Sequence, residues 1–248
     1  MNYSLQGELI KEYKIPFSEN LRATQYVQAL SKDYLALYSV FEENKLAIYS
    51  KVSNTIIKRF HSPALNISTL VTMLGSPFYS YLNSENKRII NFYETNSNQI
   101  YTLDESGIRG KYIWDFESFN FNADEIPDKE FSFEERTQFL RKNEKRWIFR
   151  FSNNLENNQY IFTKLLNKGQ PSLMIYNKKT KENILFEKMK EENWMGFRDM
   201  SNNNAIAILE SSKLNMYNLS SIINNKNKEI LTKTKNGVNP FIVKCNFR

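Results

Sequence analysis

The 248 residues carry 34 Lys+Arg against 27 Asp+Glu, a net charge of +7, and their 41% hydrophobic content is enough to build a buried core. One cysteine (Cys245), one histidine (His61) and seven glycines exclude an internal disulfide, a Cys/His zinc cluster and a Gly-rich phosphate loop of the usual kind. The basic residues are mostly single lysines among Asn and Glu, with short runs only at Lys178-Lys179 and Arg141-Lys142. That pattern describes a solvated surface and not a nucleic-acid-binding stripe. No stretch approaches the roughly 20 apolar residues of a membrane-spanning helix, and Met1-Asn2-Tyr3-Ser4 lacks a basic-then-apolar export pattern.

In chain order, Tyr3 to Ile15 reads as two strands around a turn at Gly7. A first full unit follows, with strands at Thr24 to Leu30, Leu35 to Val40, around Tyr49, and at Thr55 to Phe60. The second unit runs through Pro77 to Leu82, Arg88 to Tyr93, the Tyr101 strand and Lys111 to Phe116. An acidic insertion at 120–145 contains a helix-compatible run, Phe133 to Leu140. The third unit takes Trp147 to Ser152, Gln159 to Leu166, the Tyr176 strand and Asn183 to Lys188. The fourth takes Phe197 to Met200, Ala205 to Leu209 and the Tyr217 strand. A polar stretch at 220–233 reads as helix or loop, and Asn239 to Phe247 as a final strand.

The marker of each unit is an apolar residue, a Tyr and a small polar residue, as in Ile48-Tyr49-Ser50, Ile100-Tyr101-Thr102, Ile175-Tyr176-Asn177 and Met216-Tyr217-Asn218. Counting from Tyr3 the spacings are 46, 52, 75 and 41 residues, and removing the insertion brings the long one down to 49. A four-stranded meander recurring every ~40 to 50 residues predicts an all-β chain of propeller blades, about four to five of them, because each small sheet has an apolar face that its neighbours must cover. The expected organisation is a single propeller domain over 1–248. In it the repeated Tyr fills space between blades while its hydroxyl reaches a polar edge.

The run Tyr3 to Phe17, the hairpin ending Asn98-Gln99-Ile100-Tyr101, the segment Lys111-Tyr112-Ile113-Trp114-Asp115-Phe116 and the closing Asn239-Pro240-Phe241-Ile242-Val243 resemble the bacterial six-bladed β-propellers related to the NHL and TolB-like families. The resemblance spans nearly the whole chain. It implies an envelope-associated binding scaffold and carries over no catalytic residues. Members usually have a lipoprotein-type signal and further N-terminal blades, so it also implies a chain that represents part of a larger ring. The competing expectation is a compact ring closed by pairing 239–247 with 3–15. Where that family has Asp-Phe-Gly, this chain has Asp115-Phe116-Glu117, which puts a positive-φ turn there in question.

In a propeller the first strand of each blade lines the central channel, and the loops at one end form the usual binding face. That places Tyr26, Gln28, Tyr79, Tyr81, Arg150 and Arg198 as channel residues, offering stacking surfaces and cationic donors to a polar or anionic ligand. The function expected is a non-enzymatic scaffold for a protein, peptide or glycan, with self-association through exposed blade edges and no nucleic acid, cofactor or metal. The alternative is a hydrolase or lyase acting on a glycan through Asp115 and Glu117, which a continuous strand would point to one face. His61 and Cys245 offer no joint catalysis. Asp124, Glu125 and Asp128 lack the ligand spacing of an EF-hand. The Asn pairs 153-154, 157-158 and the run 202–204 read as turns.

Overall fold

A computed structural model of the chain describes residues 2–3, 6–11, 26–39, 45–60, 76–94, 97–122, 125, 132–187, 197–201, 204–209, 229 and 240–246. His61, Asp124, Asp128, the Tyr217 strand and nearly all of 220–233 lie outside the described residues, as does the Cys245 side chain. The described chain is all-β, with antiparallel pairing throughout. A two-stranded hairpin, β1 (Asn2–Tyr3) with β2 (Leu9–Lys11), opens it and turns at Gly7, whose φ of +87° suits glycine.

Three four-stranded sheets and one of three strands follow. The first is β3 (Tyr26–Ala29), β4 (Tyr34–Tyr38), β5 (Leu46–Ser50) and β6 (Thr55–Phe60). The second is β7 (Phe78–Leu82), β8 (Arg88–Tyr93), β9 (Gln99–Asp104) and β10 (Gly107–Ile113). The third is β11 (Ile148–Glu156), β12 (Tyr160–Asn167), β13 (Gln170–Asn177) and β14 (Asn183–Phe186). In these three sheets spatial order follows chain order, as a meander requires. The fourth is β15 (Phe197–Ser201), β16 (Asn204–Leu209) and β17 (Phe241–Asn246).

β17 corrects one expectation. Among the described residues it pairs not with the opening hairpin but residue for residue with Leu209 to Asn204, through Phe241 to Asn246, and takes the third place in the fourth sheet. The reason is alternation: Phe241 and Val243 pack with Ala205 and Ala207 on one face of the β16–β17 pair, which turns Ile242 and Lys244 outward.

The turns use left-handed residues where the hairpin geometry demands them. Asn54, Asn86 and the Lys168-Gly169 pair all have positive φ, and the last makes a two-residue turn between β12 and β13. Within the insertion, α1 (Phe133–Asn143) starts with a reciprocal cap: the Glu135 N–H donates to Ser132 Oγ at 3.2 Å and the Ser132 N–H to Glu135 Oε2 at 2.9 Å. Glu134 and Glu135 at its start and Arg141 and Lys142 at its end match the helix dipole.

Two compact units are distinguishable, residues 1–79 with 90–143 and residues 80–89 with 144–248. In the first, Ala36, Tyr38, Leu46 and Ile48 pack against Phe78, Ile90, Phe92 and Leu103, so its two sheets share one core. In the second, Phe162 and Leu173 pack against Phe197, Met200, Ala205 and Ala207, again sheet on sheet. The repeated tyrosines follow the expectation to different degrees. Tyr49 is fully buried and its hydroxyl donates to Asn54 Oδ1, while Tyr101 is half-buried and donates to Gln99 Oε1 at 2.8 Å.

Candidate functional site

All six residues expected to line a channel lie on the first strand of their sheet: Tyr26 and Gln28 on β3, Tyr79 and Tyr81 on β7, Arg150 on β11 and Arg198 on β15. Their surroundings differ by unit. In the first unit Tyr26 leans on the Tyr38 ring, with centroids 6.4 Å apart, and packs on the buried cluster. Gln28 donates to its neighbour's carbonyl, Ala29 O, at 3.1 Å, and Tyr79 meets the Tyr93 ring edge-on at 6.2 Å. These side chains are occupied with local packing. β3 pairs with β4 in unbroken register, so period-two alternation alone sets what it presents.

β11 is different. Its pairing with β12 slips between Phe149 and Ser152 and again between Ser152 and Leu155, leaving two residues opposite one each time. Arg150 and Asn153 take φ of +58° and +48°, a conformation that costs a non-glycine residue free energy unless the surroundings hold it. Asn154, only 3% exposed, has neither its amide nitrogen nor its oxygen hydrogen-bonded, and Arg150 Nε is likewise buried without a partner. The Asn153-Asn154 pair is therefore not the turn expected; the same tolerance of Asn for left-handed backbone serves a bulge inside a strand. Asn157 does make the turn, its Oδ1 accepting from the N–H groups of Gln159 and Tyr160 at 2.8 and 2.7 Å.

At the end of β11, Glu156 is buried and accepts from Lys178 Nζ at 2.6 Å, and Lys178 also donates to Asn157 O. The same ammonium lies 4.7 Å from the centre of the Tyr81 ring. Burial, then the charge of Glu156 and a hydrogen bond to it, push the Tyr81 phenol well above its ordinary range, so Tyr81 stays a donor. The triad fastens the end of β11.

β15 repeats the irregularity, for its register with β16 slips between Phe197 and Asp199, and the residue in the slip is Arg198. β12 runs in unbroken register with β13, so Phe162 and Lys164 share a face. Phe162 meets the Phe197 ring edge-on at 5.0 Å, and Arg198, beside Phe197, is exposed. Burial first, and then the Arg198 charge, lower the Lys164 pKa from the usual lysine value. Lys164 was not among the expected residues, although a single charge inside the apolar run Ile161-Phe162-Thr163-Lys164-Leu165-Leu166 is a visible signal.

The carboxylates of the enzymatic alternative are arranged for structure. β10 ends at Ile113, so Asp115 and Glu117 do not share a strand face. Asp115 Oδ1 accepts from the Glu117 N–H at 2.9 Å and Asn120 Nδ2 at 2.8 Å, and these bonds hold its pKa below the usual carboxylate range. Glu117 takes φ of +55°, so the turn that the related propellers make with glycine is made here with glutamate. Among the described residues no group of three His, Cys, Asp or Glu side chains is placed to hold a metal ion, and no helix is long and apolar enough to cross a membrane.

No family model matches the sequence, and no curated protein matches it either. One solved structure does, a "putative exported protein" from Bacteroides fragilis NCTC 9343, with a TM-score of 0.64 over 99% of this chain and 70% of that one. The likeness is one of fold. At 15% identity it supports the all-β fold and assigns no residue a role.

Proposed function

We propose that this protein is a non-enzymatic binding scaffold of the β-propeller type, working in the cell envelope and presenting the first strands of its sheets to a protein, peptide or glycan ligand. The observation that carries the reading is the irregularity of β11 and β15. Both strands break register at an arginine, Arg150 and Arg198, whereas β3 does not. Bulges concentrate where a strand must re-aim a side chain, and backbone strain held in place by packing concentrates at binding sites. The successive four-stranded meanders support the propeller, and the likeness of fold to a "putative exported protein" supports the envelope location. The low pKa and structural hydrogen bonds of Asp115 favour binding over acid–base hydrolysis, which needs a carboxyl that keeps its proton near neutrality.

The test is to probe the full chain on an array of bacterial cell-wall glycans and short peptides. Binding that falls at least tenfold in Arg150→Ala or Arg198→Ala, and stays within twofold in Gln28→Ala, supports the reading. Hydrolysis of an arrayed glycan, or binding indifferent to both arginines, would overturn it.

A further inference from the structure

We infer that Asn154 is a binding residue for the main chain of an extended peptide, its carboxamide accepting from the N–H and donating to the carbonyl of one ligand residue. The inference rests on the scaffold reading and names the chemistry of the ligand at the slipped part of β11. Asn154 occupies the second slip of that strand, between Ser152, which pairs with Lys164, and Leu155, which pairs with Phe162 and packs on the second unit's core. It is 3% exposed, and neither Nδ2 nor Oδ1 has a hydrogen-bond partner. The residue before it, Asn153, is exposed and left-handed, and Ser152 is half-buried, so the buried amide stands one residue from solvent.

The other buried asparagines among the described residues are engaged inside the fold. Asn91 Oδ1 accepts from Lys111 Nζ at 3.0 Å, Asn143 Nδ2 donates to Phe139 O at 2.8 Å, and Asn157 Nδ2 donates to Ser201 O at 2.8 Å. Asn154 has given up water without such a replacement, which is unfavourable for the folded chain alone. A leucine, branched at the same atom, would occupy the position without that cost. The carboxamide offers an acceptor and a donor side by side, and its complement must do the same. The N–H and carbonyl of one residue in an extended chain point the same way, as they do in a hydrogen-bonded pair of an antiparallel ladder, and meet both atoms at once. The N–H and carbonyl of a single trans amide point opposite ways, so the acetamido group of a sugar meets only one of them. β11 also stands at the end of its sheet, with β12 on one side, and Arg150 Nε, buried on the same strand without a partner, offers a further donor to a carbonyl.

The test is NMR titration of the full nitrogen-15-labelled chain with N-acetyl-tetra-alanine amide and, separately, with N-acetylglucosamine. We expect the peptide to displace the Asn154 side-chain NH2 signals, identified by their loss in Asn154→Leu, in a saturable way, and the sugar to displace them less than a tenth as far. Peptide affinity, read from backbone signals, should fall tenfold or more in Asn154→Leu and stay within twofold of wild type in Gln28→Ala. Asn154→Leu should also melt at a higher temperature than wild type, the reverse of what the loss of a structural amide gives. No displacement by the peptide, equal displacement by the sugar, equal peptide affinity in wild type and Asn154→Leu, or a lower melting temperature for that variant overturns the inference. An array response that depends on Arg150 and Arg198 and is untouched by Asn154→Leu removes the role of the amide and leaves the scaffold, whereas failure on the array bears on the scaffold itself.

Discussion

β3 and β11, one in each unit, both open a four-stranded meander and are built differently. β3 pairs without a break, and its polar and aromatic side chains are used by neighbours in the same unit. β11 contains two slips, two left-handed non-glycine residues, and buried polar atoms of Arg150 and Asn154 that lack partners. The same contrast appears among the charges. In the first unit Lys45 is buried with Glu94 at 3.9 Å, and Tyr38 donates to that carboxylate at 3.4 Å. Burial pushes the Lys45 pKa down, with Glu94 opposing. In the second unit Glu156 and Lys178 pair at 2.6 Å, and burial first and then the Arg198 charge lower the Lys164 pKa. The strain at Arg150 and Asn153 therefore falls inside a first strand, where β3 carries none.

The largest effects should come from the buried pair and the core, one in each unit. Replacing Glu156 with Gln leaves the Lys178 ammonium without its carboxylate and should cost about 3–5 kcal/mol in urea unfolding. Phe92→Ala, at the centre of the first unit's core, should cost a similar ~3–5 kcal/mol. A loss below about 1 kcal/mol for either would show that the corresponding unit is loosely packed. Next comes a gain: Asn154→Leu removes two unpartnered buried polar atoms at nearly constant volume and should stabilise by roughly 1–3 kcal/mol. If it destabilises instead, the amide is satisfied in solution and the contrast between β3 and β11 narrows.

The contrast also predicts a pH dependence. A lysine whose folded pKa is lowered penalises the folded state fully at pH below that pKa, and the penalty disappears as pH rises towards the usual 10.5. Wild type should therefore gain stability over Lys164→Met as pH rises through that window, read as the difference between their melting curves. A difference independent of pH would remove the strain assigned to Lys164. The smallest effect belongs to Ile242, which is 76% exposed: Ile242→Thr should change stability by less than about 0.5 kcal/mol. A larger loss would mean that this face is covered in solution, as the expected self-association requires.

Much of the fold was legible because it rests on alternation and turn chemistry. β6 and β8 match their expected bounds, and the helix falls inside the expected insertion. β17 was recognised as a strand with its neighbour left open between the opening hairpin and another arrangement, since pairing depends on which apolar face it can join. The site was half legible. Arg150 and Arg198 were reached through their place on first strands, but Phe149-Arg150-Phe151-Ser152 reads as a regular alternation and conceals both the bulge and the left-handed backbone. The Phe162–Phe197 contact was not legible either, since no local pattern encodes a contact between sheets.

The most direct measurement is binding of the full chain to an array of bacterial cell-wall glycans and short peptides, compared among wild type, Arg150→Ala, Arg198→Ala and Gln28→Ala. The account predicts a loss of at least tenfold in either arginine variant and of less than twofold in Gln28→Ala. Binding indifferent to both arginines would contradict a face kept for binding.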